Sequence, residues 1–185
     1  MFDAITQIDF RILDYIQAHF RCGFFDRVLP IFTMFGDPLM FVLYCALLIV
    51  IRKTRKDGIV VTSAVLSGAL ICNVFLKLLV RRDRPCWIRP DFPLLIKNPS
   101  DYSFPSGHTM AMTAFSTVLI VRHPKLAWVL VPATFLLMFS RMYLYVHFPS
   151  DVLFSFVVGI IVGLITCRFE DKIPFNRSHK LSDEK

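Results

Sequence analysis

Five stretches of this chain, residues 38–52, 59–80, 106–121, 126–145 and 152–167, consist mainly of Leu, Ile, Val, Phe, Met and Ala. A helix crossing a bilayer needs about 20 such residues, fewer where polar ends reach the headgroups. Within lipid a backbone must satisfy its own hydrogen bonds, so runs of this length resolve into helices. They predict an all-α, polytopic membrane helical bundle of about five transmembrane helices. The first run is short, and its start is open back into residues 29–36. With 55% hydrophobic and 19% charged residues in 185, the chain is too apolar to bury its surplus in one soluble core.

Residues 1–20 place Ile5, Ile8, Ile12, Leu13 and Ile16 at helical spacing among Asp3, Asp9, Arg11 and Asp14. This pattern predicts an amphipathic helix lying on the membrane, and it lacks the basic start and unbroken apolar run of a signal peptide. The domain reading is one membrane-embedded domain over 1–168, with 1–36 an interfacial helical region, and a charged cytoplasmic tail over 169–185. The five cysteines have no metal-ligand spacing and read as buried hydrophobes, with a Cys22 to Cys86 bridge left open.

Loop charges orient the chain. Arg52, Lys53, Arg55 and Lys56, then Arg122 and Lys125, then Arg168 and Lys172 fall on one side of a five-span model, which the preference of cations for the cytoplasm makes the inner side. The loop over 81–104, on the outer side, is nonetheless basic. Its cations need an explanation of their own, and an anionic substrate is one; the net charge of +7 fits anionic lipid or a phosphorylated substrate. Nucleic acid is excluded, because the cations sit at span ends and in short loops rather than along an exposed face with interleaved aromatics.

Polar residues gather where spans meet that outer surface. Lys77 and Arg84, followed by Pro85, stand two helical turns apart and share a face if helix continues to Arg82. Pro105-Ser106-Gly107-His108 opens the third span, where helix-start amides and the helix dipole favour an anion. Ser140-Arg141 precedes His147 and Asp151, a histidine with a carboxylate to orient it. Singly, each has a plainer reading: the cations snorkel, the histidines are interfacial, and Asp151 caps the last helix. Together they place ionisable groups at membrane depth on one face, which is where function resides. His123 and His179 fall on the other side.

The series Lys77-x6-Arg84-Pro85, Pro105-Ser106-Gly107-His108 and Ser140-Arg141-x5-His147-x3-Asp151 resembles the three-part signature of the type-2 phosphatidic acid phosphatase superfamily. The resemblance implies a phosphatase needing no cofactor and no metal. By it, His147 is the nucleophile that becomes a phosphohistidine, Asp151 orients it, and His108 protonates the leaving group. Lys77, Arg84 and Arg141 bind the phosphoryl oxygens, with hydrogen bonds from Ser106 and the Gly107 amide. The chemistry is coherent, since phosphoryl transfer needs in-line positioning and neutralised equatorial charge, which fixed cations supply.

The size and layout resemble the small undecaprenyl diphosphatases and phosphatidylglycerophosphate phosphatases of that superfamily. The expected substrate is undecaprenyl diphosphate on the extracytoplasmic leaflet of the cell membrane. Phosphatidylglycerophosphate or phosphatidate hydrolysis stays open, as does a lipid-phosphate binding or transport protein without catalysis, and the oligomeric state is not legible. Arg81, Arg82, Arg89 and Lys97 exceed the need of one phosphate; either Arg82 or Arg89 holds a second one, or these side chains touch anionic lipid head groups.

Overall fold

The computed structural model describes residues 2–170, and among them every regular element is helical. In chain order these are α1 (Phe2–Phe20), α2 (Gly23–Met34), α3 (Pro38–Val50), α4 (Arg55–Ala69), a π-helical stretch (Leu70–Leu76), α5 (Lys77–Val80) and α6 (Pro85–Ile88). There follow α7 (Gly107–Arg122), a 3₁₀ turn (Pro124–Leu126), α8 (Ala127–Tyr143) and α9 (Pro149–Arg168). The expected tail, apart from Phe169 and Glu170, lies outside the described residues, as does His179.

Three runs, Arg55–Ile88, Pro124–Tyr143 and Pro149–Arg168, are long and apolar enough to cross a membrane, and α2 with α3 makes a fourth if taken as one span bent by 54°. The expected first span over 38–52 is thus one arm of a bent pair. Pro38 cannot donate back into α2, and Asp37 in extended conformation starts the new helix. The apolar side chains of these helices face outward in quantity: Leu43, Leu47, Leu66, Leu79, Val129, Leu153 and Leu164 are all exposed. Such a surface suits lipid and would aggregate in water.

The middle of the bundle is α7, which packs on α9, α4, α8 and α3. Its buried residues, among them Thr109, Met110, Thr113, Ala114 and Val118, lie around the helix rather than along one stripe. Close approach to α9 depends on Gly159 and Gly163. A Cβ at either would stand 2.7 Å from the Cβ of Thr113 or Thr117, so the pair acts as a small-x3-small interface. Ser116 and Thr134 hydrogen-bond across α7 and α8 at 3.0 Å. Because α7 and α9 are locked face to face, their N-terminal ends, carrying His108 and Asp151, are held in fixed relation.

The apolar stripe foreseen for the N-terminal helix divides. Ile5, Ile8 and Ile12 are exposed, whereas Leu13 and Ile16 are buried together with Asp9. Leu13 packs with Tyr145 and Phe148, Ile16 with Tyr143, Leu144 and Val146, and Gln17 Nε2 donates to the Tyr143 carbonyl at 2.8 Å. The helix is therefore seated on the turn between α8 and α9. All five cysteines are free, with Cys22 exposed and Cys86 buried, so the bridge left open by the sequence is not formed.

Candidate active site

The helix carrying Lys77 does not continue to Arg82, as its spacing from Arg84 suggested. It ends at Val80, where Arg81 adopts a left-handed conformation (φ 47°) and turns the chain. Arg84 lands at the cap of α6, and the two cations meet through a third residue instead of a shared helical face. Lys77 Nζ donates to Asp101 Oδ2, and Arg84 Nη2 donates to Asp101 Oδ1 at 2.7 Å. Arg84 also donates from Nε to the Asp101 carbonyl and from Nη1 to the Val146 carbonyl, both at 2.6 Å. Burial alone would raise the Asp101 carboxyl, but hydrogen bonds and charge from Lys77 and Arg84 hold it below the usual carboxylate range.

Arg84 Nη1 lies 3.2 Å from His147 Nε2. The other ring nitrogen, Nδ1, is buried without a hydrogen-bond partner and stands 3.9 Å from Asp151 Oδ2. That separation makes an ion pair with an imidazolium and no hydrogen bond with a neutral ring. The Asp151 carboxylate is already engaged. Oδ2 accepts from Ser103 Oγ at 2.5 Å and from the Phe148 amide at 3.1 Å, while Oδ1 accepts from Arg82 at 2.6 Å. Asp151 is thus not the cap residue itself; it reaches back from the first turn of α9 to Phe148, which occupies that place. Burial, then the charges of Arg84, Arg141 and Lys77, push His147 well below the ordinary histidine value and keep it neutral.

On the facing side, Arg141 Nη1 donates to Thr33 Oγ1 at 2.7 Å and its Nε has no partner. His108 Nε2 hydrogen-bonds Asp37 Oδ1 at 2.8 Å. Lys77, Arg84, Gly107, His108, Arg141 and His147 line one cavity of about 990 Å³ that continues between α3 and α4. Ser106 and Asp151 stand behind its wall. Ser106 donates its amide to Ser155 Oγ at 2.8 Å and accepts from Thr109 at 3.1 Å, so that amide is committed to the fold.

Two expectations are overturned. Arg82 is held by Asp9, Asp151, Ser150 and Thr6, and Arg89 by Asp14 and the Tyr145 hydroxyl. Neither lines the cavity; of the four cations beyond the need of one phosphate, Lys97 does. Sequence reading also missed Asp37 and Asp101, carboxylates on irregular segments whose partners lie 71 and 24 residues away. Asn73 was missed too, sitting in the π-helical stretch against Gly107. Such stretches recur at functional sites, but the run of Leu70–Leu76 carries no sequence mark of one.

Known proteins resemble this chain over most of its length. It is 27% identical to an undecaprenyl-diphosphatase of Sulfolobus acidocaldarius over 93% of the chain and 82% of that protein. It is 33% identical to the undecaprenyl-diphosphatase BcrC of Bacillus subtilis over 81% of the chain and 80% of that protein. A crystal structure of a transmembrane PAP2 type phosphatidylglycerolphosphate phosphatase from Bacillus subtilis superposes with a TM-score of 0.73 at 28% identity, covering 92% of this chain and 88% of its own. The LpxE protein of Aquifex aeolicus superposes with a TM-score of 0.75 at 25% identity, covering 87% and 95%. The family model that matches, described as the PAP2 superfamily, spans residues 56–174, and since that span contains all three polar motifs and the helices that bring them to one cavity, the chain belongs to the PAP2 superfamily.

Proposed function

We propose that this protein is an integral-membrane lipid phosphatase that hydrolyses undecaprenyl diphosphate through a phosphohistidine. The observation that carries the reading is the convergence of two histidines and three cations on one cavity open between two apolar helices. The neutral Nε2 of His147 attacks phosphorus, the bond from phosphorus to the departing oxygen breaks, and His108 supplies the proton that oxygen takes. Water then attacks the phosphohistidine, His108 accepts its proton, and inorganic phosphate leaves. Lys77, Arg84 and Arg141 hold the equatorial oxygens and meet their charge. The Gly107 amide, at the open start of α7, adds a donor; Ser106 serves by shaping that helix start.

The substrate reading is supported by the two undecaprenyl-diphosphatases among the relatives. The structural likeness to a phosphatidylglycerolphosphate phosphatase makes that lipid the second candidate. Five crossings follow if α2 and α3 form one broken span and α7 crosses with them, leaving α1 at the interface, 1–168 as the membrane domain and 169–185 as a cytoplasmic tail. The cation-rich ends of α4 and α7 then face the cytoplasm and the cavity faces outward.

The test is phosphate release from undecaprenyl diphosphate, phosphatidylglycerophosphate and phosphatidate by the full chain in detergent, with and without chelator. Turnover fastest on the diphosphate, unchanged by chelator and abolished in His147→Ala is expected. Turnover in His147→Ala within tenfold of the parent would overturn the mechanism, and a preference for either glycerolipid would overturn the substrate.

A further inference from the structure

We propose that Asp9 of α1 is a positioning residue for this reaction, holding the Asp151 carboxylate through Arg82 so that one net negative charge faces His147. The inference rests on His147 being the nucleophile. It brings the N-terminal helix, outside the 56–174 match, into the catalytic machinery.

Arg82 lies between two carboxylates, with Nη2 2.7 Å from Asp9 Oδ2 and Nη1 2.6 Å from Asp151 Oδ1. Asp9 is 2% exposed and Asp151 0%. The guanidinium sits 4.0 Å over the Phe148 ring, next in sequence to His147. Asp9 also accepts from the Ser150 amide at 3.0 Å and from the Ser150 hydroxyl at 2.5 Å. The segment from His147 to Asp151 is therefore pinned from outside by α1, and the planar fork of arginine fixes both carboxylates at once.

The charge arithmetic gives the arrangement its use. Two carboxylates and one guanidinium leave one negative charge beside a ring otherwise surrounded by Arg84, Arg141 and Lys77, with His108 also near. When Nε2 bonds to phosphorus the imidazole becomes cationic, and its Nδ1 proton needs an acceptor. Asp151 Oδ2, 3.9 Å away, is the group positioned to close on it. Without the charge of Asp9, Arg82 would cancel Asp151, and the cationic ring would face a neutral pair among three cations.

Asp14 supplies the control. It comes from the same helix, accepts from Arg89 at 2.6 Å and from the Tyr145 hydroxyl at 3.2 Å, and so ties α1 to the same turn without touching Arg82 or Asp151.

The experiment is steady-state hydrolysis of the preferred lipid phosphate by Asp9→Asn, Asp9→Glu, Asp14→Asn and His147→Ala, with thermal denaturation of each. Asp9→Asn should lower kcat about tenfold with KM within about twofold, as expected of a misplaced reacting group, and move the acid limb of the pH profile to lower pH. That sign follows because a lost negative charge disfavours the imidazolium. Asp9→Glu should recover most of kcat, and Asp14→Asn should keep parental kcat whatever its melting temperature. If Asp9→Asn does not accumulate folded, Arg82→Lys, which keeps the charge but not the fork, tests the positioning alone: kcat should fall while the acid limb stays in place. Parental kcat and pH profile in Asp9→Asn, or an equal kcat loss in Asp14→Asn, would overturn the proposal. Turnover surviving in His147→Ala would instead overturn the nucleophile, whatever Asp9 does.

Discussion

Two clusters of charge stand at opposite ends of the bundle, and they are built differently. Where α4 starts and α7 ends, Asp57 accepts from Arg122 Nε at 2.5 Å and from His123 Nε2 at 2.7 Å, and Arg122 also pairs with Glu170. At the other end, Lys77, Arg84 and Arg141 surround a cavity. The buried polar side-chain atoms without a partner, among the described residues, are Thr113 Oγ1, Arg141 Nε and His147 Nδ1, two of them in that second cluster. A paired cluster fastens helices together. One whose buried donors lack partners holds its geometry at a cost in stability.

Exchanging the roles of the two ends in mutants is the direct way to break this contrast. Arg84→Gln removes the cation nearest the nucleophile and should lower kcat/KM by about 10²–10³, the usual loss for one preorganised donor to a developing charge. Thermal stability should fall only modestly, because the lost hydrogen bonds to Asp101 and the Val146 carbonyl are offset in part by relief of like charge. A melting temperature that falls in step with activity would mean Arg84 is structural. Asp57→Ala is the mirror image. It should cost about 2 kcal/mol, less than the roughly 3–5 of a fully buried pair, since Arg122 keeps 21% of its side chain open. Here kcat/KM should stay within about twofold, read on the fraction that melts as folded protein, and a large loss would tie the far end to catalysis.

How much of each end is legible in the sequence follows from the range of its interactions. The Lys77, Arg84, His108, Arg141, His147 and Asp151 set can be read because it sits at helix ends in fixed local spacings. The resemblance gave Ser106 a hydrogen bond to the phosphoryl oxygens; in the structure its amide donates to Ser155 and its hydroxyl oxygen accepts from Thr109, which no spacing reveals. Arg82 and Arg89 looked superfluous in a linear reading because their partners Asp9 and Asp14 lie 73 and 75 residues earlier. The apolar runs foretold the helices and a start at Pro38, but not that the arm before it, Gly23–Met34, joins it at a bend of 54°. Long-range electrostatic pairing is what one sequence shows least, and in this protein that pairing decides which cations are free.

Asp101 sharpens the contrast on a smaller scale, since it bridges Lys77 and Arg84 with a carboxylate whose side chain is 55% exposed. Any phosphoryl group that binds these two cations must displace it. Asp101→Asn should therefore lower the inhibition constant of inorganic phosphate about fivefold, equivalent to about 1 kcal/mol for one charge-assisted contact. The inhibition constant measured at fixed lipid concentration checks this, and an unchanged value would place the phosphate away from the pair.

The smallest effect expected is a displacement of the pH profile, and it separates the two ends by sign. His147 must be neutral to attack, and burial with the charges of Arg84, Arg141 and Lys77 holds its proton affinity down. The acid limb of the parent's kcat/KM, set by protonation of His147, should therefore lie below the ordinary histidine range. Removing a neighbouring cation makes protonation easier, so the acid limb of Arg84→Gln should move to higher pH while its plateau drops. Asp57→Ala, at the far end with His123, leaves every charge around His147 in place and should leave the limb where it was. A limb that moves in Asp57→Ala, or stays fixed in Arg84→Gln, would show that the titrating group is not the ring beside Arg84.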